Sequence, residues 1–598
     1  MKLSEYRIGV PRKFEVSGLH NGNNTGNALV LDNLRGWGIN LYFVTNGGGA
    51  VHFNEHIRPL RSLDDLQTGD PVAKVFHETL CAYAAPARYL AGGNITAASL
   101  TTGGALDLAG PAIVESKMHG VPVVYLAALS ASTAGDNCPL QDTTPNGFNT
   151  VATMKQRFGD GCQVIDGVKR IEEVLYNARD RLADSKPVLI LYHPDVLKEN
   201  VPWFEVPWVE RPRNFDQRAL DEFATSFQQE TDGKRVVLFV GEEASRYERM
   251  PELTTALARL LKAPTIYTQI GVSGVSPENE FAAGYLMLGY NDFAKRLWRS
   301  LTHEDTVMCI GFDPFEYSTN QERINANAVV MTNYDRPYGS VNGTFKHRFE
   351  GSYKHIQGDL ELVVLEMLNR LKIQHLTRPN VEVPNDLNEV GYKAPSKRFT
   401  NMVKFYQALA GLFEPETFYI GDVCMGYKDF QRVTQRPVKG VKVTYMHQGS
   451  LMGQGAGEAL GVRFARPDAH VHLVTGDGCF RYFGATLGEM KDLGLVVWLL
   501  DNSTHGLVSW GLTKIKPYLP ADRKLTDVVS VDYARIARAQ GWDGFNLRPD
   551  LSNMEEIMSR ANSSNTKSML VRVKVHMDDD LGQNPRLDTL GRQGQVSL

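Results

Sequence analysis

Asp477 and Asn502 stand 25 positions apart, and each ends an apolar run: HVHLVTGDG closes on Gly476-Asp477-Gly478, and LVVWLLDN closes on Asp501-Asn502. A carboxylate, a side-chain carbonyl and, two residues on, the backbone carbonyl of Thr504 are the hard oxygen donors that magnesium takes, usually beside a substrate phosphate. Gly476 and Gly478 let an anion approach the backbone closely, and the helix predicted after them would turn its N-terminus toward that anion. The bare tripeptide is a common surface turn, because Gly and Asp are turn residues. A second copy serves as a control: Gly159-Asp160-Gly161 has no apolar strand before it, and the residue 25 beyond Asp160 is Ser185. That copy reads as a turn.

Four more segments carry candidate chemistry. PVAKVFHETLCAYAAPARYLAGG sets His77-Glu78 before a helix, where a Glu in the first turn serves a helix dipole or a proton transfer. MHQGSLMGQGAGEALG, residues 446 to 461, holds Ser450, Met452 and the glycines Gly453, Gly455 and Gly457, which argue for close backbone approach. The run departs from GxGxxG because Glu458 stands at the third glycine, which weakens a nicotinamide reading. FVTNGGG presents Gly47, Gly48 and Gly49 after a strand, and NCPLQDTTP presents Gln141 on a loop. His77, His447 and His505 are the histidines nearest these positions, and an imidazole titrates near neutral pH.

The elements that must hold these residues follow from patterning. Three α/β blocks are predicted, from short β-branched runs alternating with longer amphipathic stretches. The first spans 20–195 with INLYFVT, ITAASLTTG, VPVVYLAAL and KPVLILYHP as strands. The second spans 215–372 with RVVLFVG, APTIYTQ, DTVMCIG and NAVVMTN. The third spans 395–598 with TFYIGD, KVTYMHQ, HVHLVTGDG, LVVWLLDN and SMLVRVKV. Pro-rich links, HPDVLKENVPWFEVPWVERPR and LTRPNVEVPNDLNEVGYKAPSKR, separate them. The expectation is three doubly wound parallel-sheet domains, with ligands at the carboxyl ends of strands.

Composition narrows the function classes. With 42% hydrophobic and 22% charged residues among 598, the chain is not disordered, collagenous or coiled coil. A formal net charge of −4 without long single-sign blocks argues against nucleic acid. Six cysteines without CxxC spacing argue against a disulfide framework or structural zinc. MKLSEYRIGVPRK lacks an apolar leader, and no apolar stretch is long enough to span a bilayer, so a cytoplasmic protein without a membrane partner is expected.

GDG followed by Asn502 resembles the thiamine diphosphate motif. Order and size of the three blocks are similar to the pyrimidine-binding, central and diphosphate-binding domains of the family of pyruvate oxidases, acetohydroxyacid synthases and benzaldehyde lyases. The resemblance implies thiamine diphosphate and Mg2+, with Asp477, Asn502 and Thr504 on the metal. It implies Gly476, Gly478 and Cys479 at the diphosphate, together with Cys424 and Met425 of Gly421-Asp422-Val423-Cys424-Met425-Gly426, where relatives more often carry small and Gln residues. Glu78 would hydrogen-bond N1′ of the aminopyrimidine so that the cofactor's own nitrogen takes the C2 proton. Met452 would prop the cofactor into its bent shape, and the carbonyl of Ser450 would accept from the 4′-amino group. Gly48 would lie over the reacting carbons, with Gln141 and His447 as further catalytic candidates. Glu78 acting on a neighbouring subunit's cofactor implies a homodimer or homotetramer. FAD is left open and not favoured, because IGVSGVSPENE is similar to a flavin-holding segment but lacks the basic residue beside the glycines.

The loops NGGG and ALSAST lack the Asp and the His pair that simple pyruvate decarboxylases keep for protonation. The expected activity is therefore a carboligase of acyloin or acetolactate synthase type, which decarboxylates a 2-oxo acid and adds the resulting carbanion to an acceptor carbonyl. The alternatives are a lyase, hydrolase or non-oxidative decarboxylase of a 2-hydroxy ketone, diketone or 2-oxo acid with the same cofactor, a catalytically dead regulatory paralogue, and a nucleotide-binding dehydrogenase.

Overall fold

The computed structural model describes residues 25–593 except 136, 211–212, 313–315, 321, 334–343, 373–378, 380, 390, 393–395 and 564–565. The segment MKLSEYRIGVPRK, the expected block limits at 20, 395 and 598, and part of the second Pro-rich link lie outside the described residues. Among those described, three wholly parallel sheets form.

The first holds β1 (Leu41–Val44), β2 (Arg58–Pro59), β3 (Val72–Val75), β4 (Ala97–Leu100), β5 (Val124–Ala128), β6 (Cys162–Ile165) and β7 (Val188–Tyr192), in the order β2-β3-β1-β4-β5-β7-β6. The second holds β8 (Val236–Val240), β9 (Thr265–Tyr267), β10 (Ala282–Tyr285), β11 (Thr306–Ile310), β12 (Asn327–Thr332) and β13 (Tyr353–Gln357), in the order β10-β9-β8-β11-β12-β13. The third holds β14 (Thr417–Gly421), β15 (Val441–Thr444), β16 (His470–Gly476), β17 (Leu495–Asp501), β18 (Asp543–Asn546) and β19 (Met569–Lys574), in the order β15-β14-β16-β17-β19-β18. Runs such as Leu495–Asp501 are buried along their whole length because helices cover both faces of a parallel sheet.

Every apolar run read as a strand from the sequence overlaps one. The sequence reading missed β2, β3, β6, β10, β13 and β18, which are short or only partly buried, such as Arg58–Pro59 and Asp543–Asn546. The control tripeptide Gly159–Gly161 is a single 3-10 turn between a helix and β6.

In each sheet the chain builds strands to one side of the first strand and then crosses to its other side, and ligands of such sheets bind at that switch point. The reversals lie between β1 and β4, between β8 and β11, and between β14 and β16.

The chain divides into two compact units. One is Met1–Pro212 with Met446–Pro467, and the other is Arg213–Tyr445 with Asp468–Leu598. In the first, the helix Gln454–Ala465 lies against the helix Glu78–Gly92 at very short range: a Cβ on Gly457 would stand 2.7 Å from the Tyr83 Cβ, and one on Gly461 2.4 Å from the Ala84 carbonyl oxygen. Gly457 thus serves helix packing. Gly453, at φ +87°, opens the helix from the left-handed region that glycine favours.

Candidate active site

In the second unit, three loops leave neighbouring strand ends at the reversal of the third sheet. After β14, Asp422 is buried and holds its loop with both oxygens: Oδ1 accepts from the Val423 N–H at 2.8 Å and Oδ2 from the Thr475 hydroxyl at 2.8 Å. The loop continues through Cys424 and Met425 into the helix Gly426–Thr434. After β16, Gly476 leaves only 3.1 Å between an added Cβ and that of Cys424, and the Cys479 thiol donates to the Val423 carbonyl at 3.0 Å. After β17, Asn502 opens a turn in which its Oδ1 accepts from the Thr504 N–H at 3.2 Å. Gly506 faces both Asn502 and Met425, since its Cβ would lie 2.7 Å from Asn502 Nδ2 and 3.1 Å from Met425 Cγ. Gly476, Asp477, Gly478, Cys479, Cys424, Met425, Asn502 and Thr504 are therefore brought to one strand-end crevice. His505 joins them, with its Nδ1 2.7 Å from the Cβ position of Gly478.

Asp477 is 1% exposed and accepts from the N–H groups of Gly478 at 2.8 Å and Ser503 at 2.7 Å. Burial pushes its carboxyl up to about 6, against those backbone bonds, and the nearby Asp501 carboxylate adds to the rise. A buried carboxylate that, among the described residues, no cationic side chain within hydrogen-bonding distance balances suits a bound cation. Burial also pushes the Cys424 thiol up, so it is a neutral wall of the crevice and not a nucleophile. These donors and the space left by the glycines fit a magnesium diphosphate.

Sequence reading missed the residues that hold this crevice. Thr526 accepts at its carbonyl from the His505 N–H at 2.7 Å and the Thr504 hydroxyl at 3.1 Å, and Val528 donates to the Ser503 carbonyl at 3.0 Å. Arg572 and Ser530 both bind Asp501. These are tertiary pairings across tens of residues, for which local pattern carries no signal.

In the first unit, Glu78 is the first residue of the helix Glu78–Gly92, half-buried, with His77 at its N-cap. At the reversal between β1 and β4, the glycine loop packs on two threonines: a Cβ on Gly47 would fall 2.2 Å from Thr101 Oγ1, and one on Gly49 1.9 Å from Thr102 Oγ1. Gly48 is exposed with nothing within 4 Å of its Cβ position. Gln141 is exposed, in a left-handed turn at φ +58°, with its Cβ 2.9 Å from the Cβ position of Gly103. His447 is buried and packs edge to face on His119, ring centroids 5.4 Å apart. Ser450, at φ +45°, donates its hydroxyl to the His447 carbonyl at 2.7 Å, and Met452 is half-buried two residues on. Glu458, which breaks the glycine pattern, has a task of its own, accepting from the Met446 N–H at 2.9 Å.

The second sheet differs at its reversal. β8 ends in Gly241-Glu242-Glu243 with both glutamates buried, and a Cβ on Gly241 would meet the Gly311 carbonyl at 2.3 Å. Two acids at this edge oppose the phosphates of a dinucleotide. Among the described residues all six cysteines are free, and no helix is long and apolar enough to cross a membrane.

A parallel sheet that closes glycine-walled loops and a buried carboxylate over its winding reversal defines an α/β enzyme that holds an anionic cofactor at its strand ends. Comparisons with known proteins agree. Residues 421–573 match the model of the thiamine pyrophosphate enzyme C-terminal TPP binding domain. The chain is 22% identical over 536 residues to acetolactate synthase of Mycobacterium leprae (strain TN), covering 84% of this chain and 80% of that one. It is also 22% identical over 510 residues to 2-hydroxyacyl-CoA lyase 2 of Bos taurus, covering 77% and 75%. Its fold is similar to that of the thiamine diphosphate-dependent 4-hydroxybenzoylformate decarboxylase of Rhodococcus jostii RHA1, with a TM-score of 0.71 at 16% identity over 92% of this chain and 99% of that one. Together these findings support a thiamine diphosphate-dependent enzyme family for the chain.

Proposed function

We propose that this enzyme is a carboligase that decarboxylates a 2-oxo acid and joins the remaining acyl unit to an acceptor carbonyl. The observation that carries the reading is the open, side-chain-free edge at Gly48, flanked by Thr101 and Thr102 with no carboxylate or imidazole on the β1 and β4 loops. Imidazoles do reach this sheet edge from outside those two loops: His77 follows β3, beside β1, at the N-cap of the Glu78 helix, His52 lies on the short helix Val51–Asn54 with its Nε2 3.1 Å from Lys198 Nζ, and His193 follows β7, two strands from β4, with its Nδ1 2.6 Å from the Ser130 carbonyl. Without a dedicated acid at the reversal, an acceptor held there competes well with protonation, since alignment of reactants is worth roughly 7–11 kcal/mol. The similarity to a protein named acetolactate synthase supports the same reading.

Bound thiamine diphosphate supplies the electron sink for the broken carbon–carbon bond. The chain's residues hold and steer. Asp477, Asn502 and the Thr504 carbonyl would hold Mg2+, and the loops at Cys424-Met425 and Gly476-Gly478-Cys479 would line the diphosphate. Glu78 would hold a proton toward the pyrimidine N1′, the Ser450 carbonyl would accept a hydrogen bond from the cofactor, and the Met452 side chain would support it. Gln141, beside Gly103, and His447 border substrate and cofactor. We assign the pyrimidine-binding, central and diphosphate-binding domains to 20–195, 215–372 and 395–598, working as a cytoplasmic homodimer or homotetramer.

A 2-oxo acid supplied with a second aldehyde or ketone should yield a hydroxy ketone in excess of free aldehyde. Free aldehyde or acid dominating with every acceptor tried would replace this reading by a lyase, hydrolase or simple decarboxylase, a reading that the similarity to a 2-hydroxyacyl-CoA lyase also supports.

A further inference from the structure

Glu115 lies one turn before the end of the helix Ala105–His119 and is 0% exposed. A carboxylate there is costly twice over. Burial removes its hydration, and the C-terminal end of a helix carries partial negative charge. No Lys or Arg offsets it among the described ion pairs; the nearest cationic candidate is His119, whose Nε2 is 3.7 Å from Oε1. Its close partners are instead two successive backbone amides: Gln448 N–H donates to Oε1 at 2.8 Å and Gly449 N–H to Oε2 at 2.6 Å. Stability of the fold alone does not call for such an arrangement.

The amides it grips belong to the segment that runs into Ser450 and Met452. That segment is strained, with Ser450 in the left-handed region at φ +45°, a conformation costing on the order of 1 kcal/mol for a non-glycine residue. Side chains hold it at four points: Glu458 on the Met446 N–H, Glu115 on Gln448 and Gly449, Ser450 on the His447 carbonyl, and Gln454 on the Leu451 N–H at 3.0 Å. Of these, Glu115 alone comes from a distant part of the sequence.

We propose that Glu115 is a positioning residue for the cofactor's pyrimidine half: it clamps Gln448 and Gly449 so that the Ser450 carbonyl and the Met452 side chain stand preformed. The inference rests on the reading that Ser450 and Met452 face the cofactor. It predicts a selective effect, because inorganic diphosphate with Mg2+ needs only the crevice at Asp477 whereas thiamine diphosphate needs the pyrimidine contacts as well.

The test uses full-length protein without cofactor and its Glu115→Gln variant, which keeps the shape but turns an amide N–H toward a backbone N–H. Hydrogen exchange at the amides of 448 and 449 should quicken by about tenfold or more, the worth of one bond to a charged group. By calorimetry in saturating Mg2+, the Kd for thiamine diphosphate should rise by about tenfold, while that for inorganic diphosphate stays within twofold. Unchanged exchange, or equal weakening of both ligands, overturns the proposal. Wild-type protein that binds inorganic diphosphate but not thiamine diphosphate overturns the functional reading instead, and is recognised without any variant. Should Glu115→Gln not fold, Glu115→Asp carries the same comparison, since its carboxylate keeps the charge but stops a methylene short of the two amides.

Discussion

Arg572, on β19, delivers its guanidinium to the buried carboxylate of Asp501 at the end of β17, with Nε 2.6 Å from Oδ2. Ser530 donates its hydroxyl to the same oxygen at 3.1 Å, and Arg572 reaches Ser530 Oγ at 3.3 Å. The three residues pin the strap 526–530, which in turn pairs with Ser503, Thr504 and His505. An ion pair between buried Asp501 and half-buried Arg572 thus braces the turn that carries two proposed metal ligands.

Arg572→Met should leave Asp501 buried and unpaired. Removing one partner of a fully buried pair costs about 3–5 kcal/mol, and partial exposure of Arg572 reduces this to about 2 kcal/mol. Denaturant unfolding should show that loss, and Mg2+ titration in the presence of inorganic diphosphate should show weaker metal binding. A variant as stable as wild type with unaltered metal affinity would remove the brace from the account.

Asp477→Asn should act far more strongly on function than on fold. It removes a charge that burial disfavours but turns an amide NH2 toward one of the two backbone N–H groups, of Gly478 and Ser503, that the carboxylate accepts from, so the apo protein should change in stability by no more than about 1–3 kcal/mol. The proposed metal ligand is lost at the same time, and thiamine diphosphate should no longer remain with the protein through gel filtration in Mg2+. Normal retention in this variant would sink the metal assignment.

Glu78→Gln retains size and a hydrogen bond but cannot share a proton with N1′. Cofactor affinity should stay within a few-fold of wild type, while exchange of the cofactor's C2 proton, followed by NMR after a deuterium jump, slows by about 10²-fold or more. Equal exchange rates would leave Glu78 as a helix-dipole partner only.

Much of this was legible beforehand because the chemistry sits where pattern is strongest. LVVWLLD and HVHLVTG are continuous apolar runs, their ends are fixed by Gly476 and Asn502, and a doubly wound sheet places those ends together. Glycine was harder to read. Gly453, Gly455 and Gly457 announce close approach, but sequence does not say to what, and at Gly457 and the unremarked Gly461 the approaching body is the helix Glu78–Gly92. Glu115 and Arg572 left no trace at all, and Asp501 showed only as the end of an apolar run. A buried charge looks like any other charge until its partner, 71 positions away for Arg572 and Asp501 and 333 for Glu115 and Gln448, is folded against it.

The helix that follows the Cys424-Met425 loop carries a second buried charge cluster, and it makes stability depend on pH. Lys428, fully buried, donates to Asp429 at 2.8 Å, to the Gly582 carbonyl at 2.8 Å and to Asp580, while Asp429 accepts from the Gly582 N–H at 2.8 Å. Asp579 stands beside them, receiving the Tyr392 hydroxyl at 3.1 Å. Burial pushes its carboxyl up to about 7, the charges of Asp429 and Asp580 push the same way, and the Tyr392 bond and Lys428 oppose. A carboxyl whose pKa is higher folded than unfolded favours folding only while protonated, so its contribution is intact below about pH 4 and is lost as pH rises toward 7. Asp580, pushed up to about 6 chiefly by burial, adds to the drift. Asp579→Asn keeps the acceptor for Tyr392 and removes the proton equilibrium. Between pH 5.5 and 8, the Tm of wild type should therefore fall relative to that of Asp579→Asn, most steeply below pH 7, with a smaller slope remaining in the variant from Asp580. Parallel Tm curves across that range would show that Asp579 titrates normally in the folded chain.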